Sequence, residues 1–103
     1  MNNIYHLGCG AVGKVDPYNI QKYDDNKFHL KECESYIQNN LQYIAGTYRY
    51  EPEKHINVCL PKTDLFGKDC RENYDNKHGF YGFVNLNTIP HLNNCAINQT
   101  VTK

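Results

Sequence analysis

Tryptophan is absent, and no apolar run approaches the ~18 residues that a membrane-spanning helix needs. The chain therefore reads as a soluble protein. Neither charge is in excess, because eleven basic residues balance eleven acidic ones. Nucleic-acid binders draw much of their affinity from phosphate contacts and show basic clusters. Here Lys and Arg are scattered, which argues against strong non-specific binding to RNA or DNA. There is no CxxC pair, so neither a zinc ribbon nor a thioredoxin-type site is expected. No Gly-rich phosphate loop follows a strand, since GCGAVG stands without the necessary context. Repeats and linker tracts are missing as well. Met1 is followed by NNIYHL, with no basic start and no apolar h-region. Either the chain is cytosolic, or a signal peptide has been removed and replaced by an initiator Met.

What is present suits one small, stapled domain covering residues 1–103. Five cysteines, Cys9, Cys33, Cys59, Cys70 and Cys95, point in so short a chain to an oxidising compartment. Their odd number leaves one thiol free or paired between chains. Nine tyrosines suit strands and exposed contact surfaces alike. Asn98-Gln99-Thr100 is an N-glycosylation sequon.

Residues 1–26, with Pro17 and the cluster YDDN, read as a short strand or hairpin followed by a loop. Leu30, Cys33, Ile37, Leu41 and Ile44 recur every three or four residues and predict an amphipathic helix over 26–45. Asp24, Asp25 or Asn26 is its expected cap, and Ala45-Gly46 its expected stop. TYRY and INVCL predict strands, the second ended by Pro61. DLFGKDC predicts a loop, YDNKHG a turn and FYGFVNL a further strand. The sum is an α+β fold with one helix across an antiparallel sheet.

Histidine and cysteine recur in tandem at His6 and Cys9, His29 and Cys33, His55 and Cys59, and His91 and Cys95. Zinc accepts such ligands, but a disulfide framework accounts for the cysteines better, so no metal and no cofactor are expected. Cys59 with His55 is the local candidate for an activated thiol. Four residues along a strand span about 13 Å, too far for a hydrogen bond. Glu51 and Glu53 flank Pro52, and both they and Asp24-Asp25 read as solvated turns.

The second half of the chain carries NVCLP, DCR, YDNKHG, FYGFVNLNT and a final NNC. In that order these segments resemble the fungal guanyl-specific ribonucleases, which place one helix on a twisted antiparallel sheet. Tyr5 and Cys9 followed by a helix resemble still more the ribonuclease-like secreted effectors of powdery mildew fungi. Those begin with a Tyr-x-Cys motif, in which the two residues stand closer together. The resemblance puts Cys59 at the place of the catalytic carboxylate, Arg71 at that of the cation and Asn87 at that of the imidazole acid. Cysteine and asparagine do not replace the proton acceptor and donor of RNA cleavage, each worth ~10²–10⁴ in rate. His78 or His91 would have to move in to restore it. No catalytic residue is therefore expected. The resemblance also implies a Cys9–Cys95 bridge between the termini. With Arg71 on the substrate face, alternation turns Cys70 towards the helix and suggests Cys33–Cys70, leaving Cys59 as the odd thiol. The implied function is that of an inactive, monomeric, secreted effector delivered into a plant host. It would bind host proteins, be open to recognition by an intracellular (NLR) immune receptor, bind RNA weakly or not at all, and bind no membrane.

Overall fold

The computed structural model describes residues 3–70 and 80–88. Within them the elements run β1 (Ile4–His6), β2 (Gly10–Val12), β3 (Gln21–Lys22), α1 (Leu30–Gln38), β4 (Ala45–Glu51), a 3₁₀ turn (Pro52–Lys54), β5 (Ile56–Lys62), β6 (Gly67–Asp69) and β7 (Phe80–Asn85). Five strands form an antiparallel sheet in the order β1-β7-β4-β5-β3, and β2 and β6 form a separate antiparallel pair. The coarse expectation of one helix with an antiparallel sheet holds for these residues.

β4 and β5 make the longest pairing, from Ala45↔Lys62 to Glu51↔Ile56. Pro52 opens the 3₁₀ turn between them, and His55 closes it in the left-handed region at φ 55°. Pro61 does not end β5, which runs on to Lys62. The Pro61 carbonyl accepts from the Asp16 amide at 2.9 Å. In a strand the N–H and C=O of one residue point the same way, so the missing N–H faces residues 14–16 and costs no β4–β5 bond. The N-terminal strands do not form a hairpin with each other: β1 joins β7, and β2 joins β6. The segment expected to be a loop, DLFGKDC, contains β6.

The helix is half as long as its apolar spacing suggests, 30–38 against 26–45. Its start is delayed because carbonyls that would enter the helix are engaged elsewhere. Asn57 Nδ2 donates to the Asp25 and Lys27 carbonyls at 3.2 and 2.9 Å, and the Tyr50 hydroxyl donates to that of Asn26 at 2.5 Å. His29, with no side-chain cap bond, is the residue before the first turn, so none of Asp24, Asp25 and Asn26 is the cap. At the other end Asn40 Nδ2 donates to the Tyr36 carbonyl at 2.6 Å and turns the chain away. Cys33 and Ile37 remain the buried stripe of the helix, while Leu41 is exposed. Gly46 is no helix stop. It lies in β4 beneath the helix, where a Cβ would stand 2.9 Å from the Phe83 ring and 3.0 Å from Ile37.

Strand alternation divides the core between the two sheet faces. On the helix side Ile4, Cys33, Ile37, Tyr43, Tyr48, Cys59 and Phe83 pack together. On the other side Leu7, Ala11, Ala45 and Val84 pack under the small β2–β6 sheet. That sheet crosses the main one at Gly82, where any Cβ would collide with the Cys9 carbonyl and the Ala11 amide. A glycine inside FYGFVNL therefore marks a close backbone approach.

Two disulfides tie these layers, and neither is the expected one. Cys33 on α1 is bridged to Cys59 on β5, with Cα atoms 5.4 Å apart. Cys9 is bridged to Cys70, with Cα atoms 5.3 Å apart. The register explains the second pair, because Gly10↔Asp69 sets the flanking residues Cys9 and Cys70 opposite each other. Cys59 is thus not the odd thiol, and the expected Cys9–Cys95 and Cys33–Cys70 pairs give way. Cys95 lies outside the described residues. Two disulfides agree with the oxidising compartment inferred from the cysteine count. No helix among the described residues is long and apolar enough to cross a membrane.

Candidate functional site

The sheet face away from α1 is the place to look for chemistry, since the helix seals the other. By register and alternation this face receives Thr47, Arg49 and Glu51 from β4, Ile56, Val58, Leu60 and Lys62 from β5, and Phe80 from β7. The small sheet covers one end of it. Thr47 serves that junction: its Oγ accepts from the Ala11 amide and donates to the Ala11 carbonyl, both at 3.0 Å.

Next to it lies a charged chain built on one strand and its turn. The Arg49 guanidinium donates to Glu51 Oε2 at 2.9 Å, and Lys54 Nζ sits 3.5 Å from Glu51 Oε1. Arg49 also lies over the Phe80 ring at 4.9 Å from its centroid, a cation–π contact between register partners. Its Nε is buried with no hydrogen-bond partner among the described residues. Glu51 is buried, not the solvated turn residue that its neighbour Pro52 suggests. Burial pushes its carboxyl up, but the bond from Arg49 and the charge of Lys54 outweigh burial and hold it below the ordinary glutamate value. It stays ionised with both oxygens engaged, which makes it a poor proton acceptor.

Of the residues assigned by resemblance, the two described ones, Cys59 and Asn87, do not lie on this face. Cys59 points the opposite way, fully buried and bonded to Cys33. β5 alternates, so the outward positions flanking Cys59 are Val58 and Leu60, neither of which takes a proton. Asn87 sits in the turn after β7 and braces the helix end: its Nδ2 donates to the Gln38 carbonyl at 3.2 Å and its Oδ1 accepts from Asn3 Nδ2. Asn85 is likewise structural. Fully buried, it donates to the Ile37 and Tyr43 carbonyls at 2.8 and 3.0 Å. Arg71, His78, His91 and Asn98 lie outside the described residues.

The three described histidines belong elsewhere. His6 on β1 meets Glu34 of α1 at 3.0 Å; burial raises the Glu34 carboxyl, while His6 and Lys31 oppose the rise. His29 Nε2 lies 2.8 Å from Asp25, and its ring stacks on Tyr23 at 4.3 Å. His55 occupies the β4–β5 turn. Among the described residues no group of three or more His, Cys, Asp or Glu side chains is placed to hold a metal ion.

Sequence reasoning missed the aromatic corner on the helix side. Phe28 meets Tyr48, Tyr50 and Tyr81 edge-on at 5.2–5.5 Å. The Tyr48 hydroxyl donates to Asn57 Oδ1 and accepts from the His29 amide at 2.7 Å. Desolvation pushes the Tyr48 phenol up to about 12. The signal was the tyrosine count, but composition does not tell core tyrosines from contact ones. Tyr43 and Tyr48 are fully buried, whereas Tyr18 is 93 % exposed. No family model, curated protein or solved structure matches this chain.

Proposed function

We propose that this chain is a secreted ribonuclease-like protein without ribonuclease activity, a fungal effector that acts inside a plant host by binding host proteins. It is open there to detection by an intracellular immune receptor. The observation that carries the reading is the composition of the open sheet face. Among the described residues the carboxylate on its strands, Glu51, is tied to Arg49 and Lys54, its outward β5 positions are Ile56, Val58, Leu60 and Lys62, and it bears no histidine. A helix on an antiparallel sheet, closed by two disulfides, agrees with the ribonuclease-like plan and with secretion. The balance of charges agrees with a protein partner better than with RNA.

An active ribonuclease would use as base Glu51 or a group outside the described residues, with an acid from outside them. Incubation with single-stranded RNA and a guanine-containing oligonucleotide from about pH 4 to about pH 8 separates the two readings. The expected result is no cleavage above the buffer control, and no change on Glu51→Gln. Turnover that falls roughly 10²-fold on Glu51→Gln or Arg71→Ala would replace the binding reading with the enzymatic one.

A further inference from the structure

Lys62 ends β5 on the face opposite α1 and is only 7 % exposed. An ammonium has three hydrogens to donate. Among the described residues Nζ meets one acceptor, the Gly13 carbonyl at 3.3 Å, and no carboxylate pairs with it. Its burial lowers the amine below the ordinary lysine value. A methionine would fill the same space with no polar group to satisfy, so the amine at this position weakens the fold. Such a local cost is the mark of a functional position.

Lys62 and Gly13 line a cleft of about 240 Å³ between the small sheet and the main one, together with Gly10, Thr47, Leu60 and Phe80. The Thr47 hydroxyl is already engaged with Ala11 in both directions. The amine is therefore the lining group with donors left to offer. Leu60 and Phe80 supply an apolar wall. Asp69 also lines the cleft. The volume lies below the ~300–1,000 Å³ of pockets that hold drug-sized ligands, so the occupant is no larger than one residue or a small acid.

We infer that this cleft binds a carboxylate carried on a small apolar body, with Lys62 as its counter-ion and Leu60 and Phe80 against the body. The cleft lies at the end of the open face that the small sheet covers, and the inference does not depend on whether the chain cuts RNA. A free organic acid and the terminal residue of a partner protein offer the same chemistry.

The test is an NMR titration of the intact, oxidised protein with sodium benzoate, following the Gly10–Gly13 amides and the Lys62 ε-methylene. Expected are saturable shifts at millimolar benzoate, a rise in the Lys62 pKa, and binding of benzamide weaker by roughly 10-fold or more. Lys62→Met should abolish the shifts while its urea midpoint stays equal or rises. Gly10→Ala provides a second variant, because its methyl would stand 3.7 Å from Thr47 and 3.8 Å from Phe80. It should fold and crowd benzoate out. A short peptide ending in phenylalanine carboxylate that displaces benzoate, when its amide does not, assigns the site to a chain terminus. Failure of both peptides with benzoate still bound assigns it to a free acid. The proposal is overturned if benzoate gives no saturable shift, if Lys62→Met binds it as well as the parent, or if inorganic phosphate binds more tightly.

Discussion

Replacing Cys33 and Cys59 together by alanine removes the one covalent tie between α1 and the sheet among the described residues. The bridge closes a segment with a sequence separation of 26. It is nested inside the Cys9–Cys70 ring, whose separation is 61. Because the outer bridge already restrains both ends, the inner one closes an effective loop of roughly 15 residues, worth about 3 kcal/mol of unfolded-state entropy. Both cysteines are fully buried, so alanine also leaves a methylene-sized gap at each, about 0.8 kcal/mol apiece. The sum, about 4–5 kcal/mol, is close to the whole stability of a marginal domain. For a chain of this length it corresponds to a fall in Tm of roughly 20 °C or more. Differential scanning calorimetry of oxidised parent and double variant measures it. A peptide map of the oxidised parent should show Cys33 joined to Cys59 and Cys9 to Cys70, with the single free thiol on Cys95. A double variant within about 1 kcal/mol of the parent, or a map joining Cys33 to Cys70, would refute the reasoning.

Two further outcomes follow from buried polar groups. Asn85→Ala removes the donors to the Ile37, Tyr43 and Thr88 oxygens and the acceptor for the Asn87 amide; it should cost about 3 kcal/mol in urea denaturation, and a loss under about 1 kcal/mol would show these bonds to be dispensable. Tyr48 should make stability fall in alkali. Its folded pKa of about 12 exceeds the ordinary 10, so its contribution is whole below about pH 10 and drains away as pH rises through the folded value. Tyr48→Phe should therefore lose about 1–2 kcal/mol near neutral pH, where two hydrogen bonds disappear, and the gap to the parent should narrow by about pH 11; a gap that does not narrow counts against the burial of this phenol.

The legible parts of the fold were local. The β-rich texture of TYRY, INVCL and FYGFVNL became β4, β5 and β7, because branched and aromatic side chains suit a pleated surface whatever lies beyond it. The Leu30–Cys33–Ile37 stripe became the buried side of α1. Leu41 and Ile44 keep the same spacing without being helical, since Asn40 and Asn57 bind backbone carbonyls at the two ends, and an apolar period carries no record of such distant partners. Gly46 and Gly82 read as punctuation in the chain, yet each sits inside a strand where another segment passes too close for a Cβ.

The cysteine count alone settled that the chain is stapled, because so short a domain with five cysteines has that use for them. Which cysteines meet was settled by packing. Alternation along β5 places Cys59 opposite in sense to Val58 and Leu60, but it is silent on which set the helix covers. Once α1 lies over the Cys59 side, that residue becomes the anchor of the helix, and the outward face is left to Arg49, Glu51, Val58 and Leu60. Covalent order specifies neighbours along the chain. Contacts between residues dozens of positions apart are chosen by register and by the side from which each layer is buried, and neither quantity belongs to any single segment.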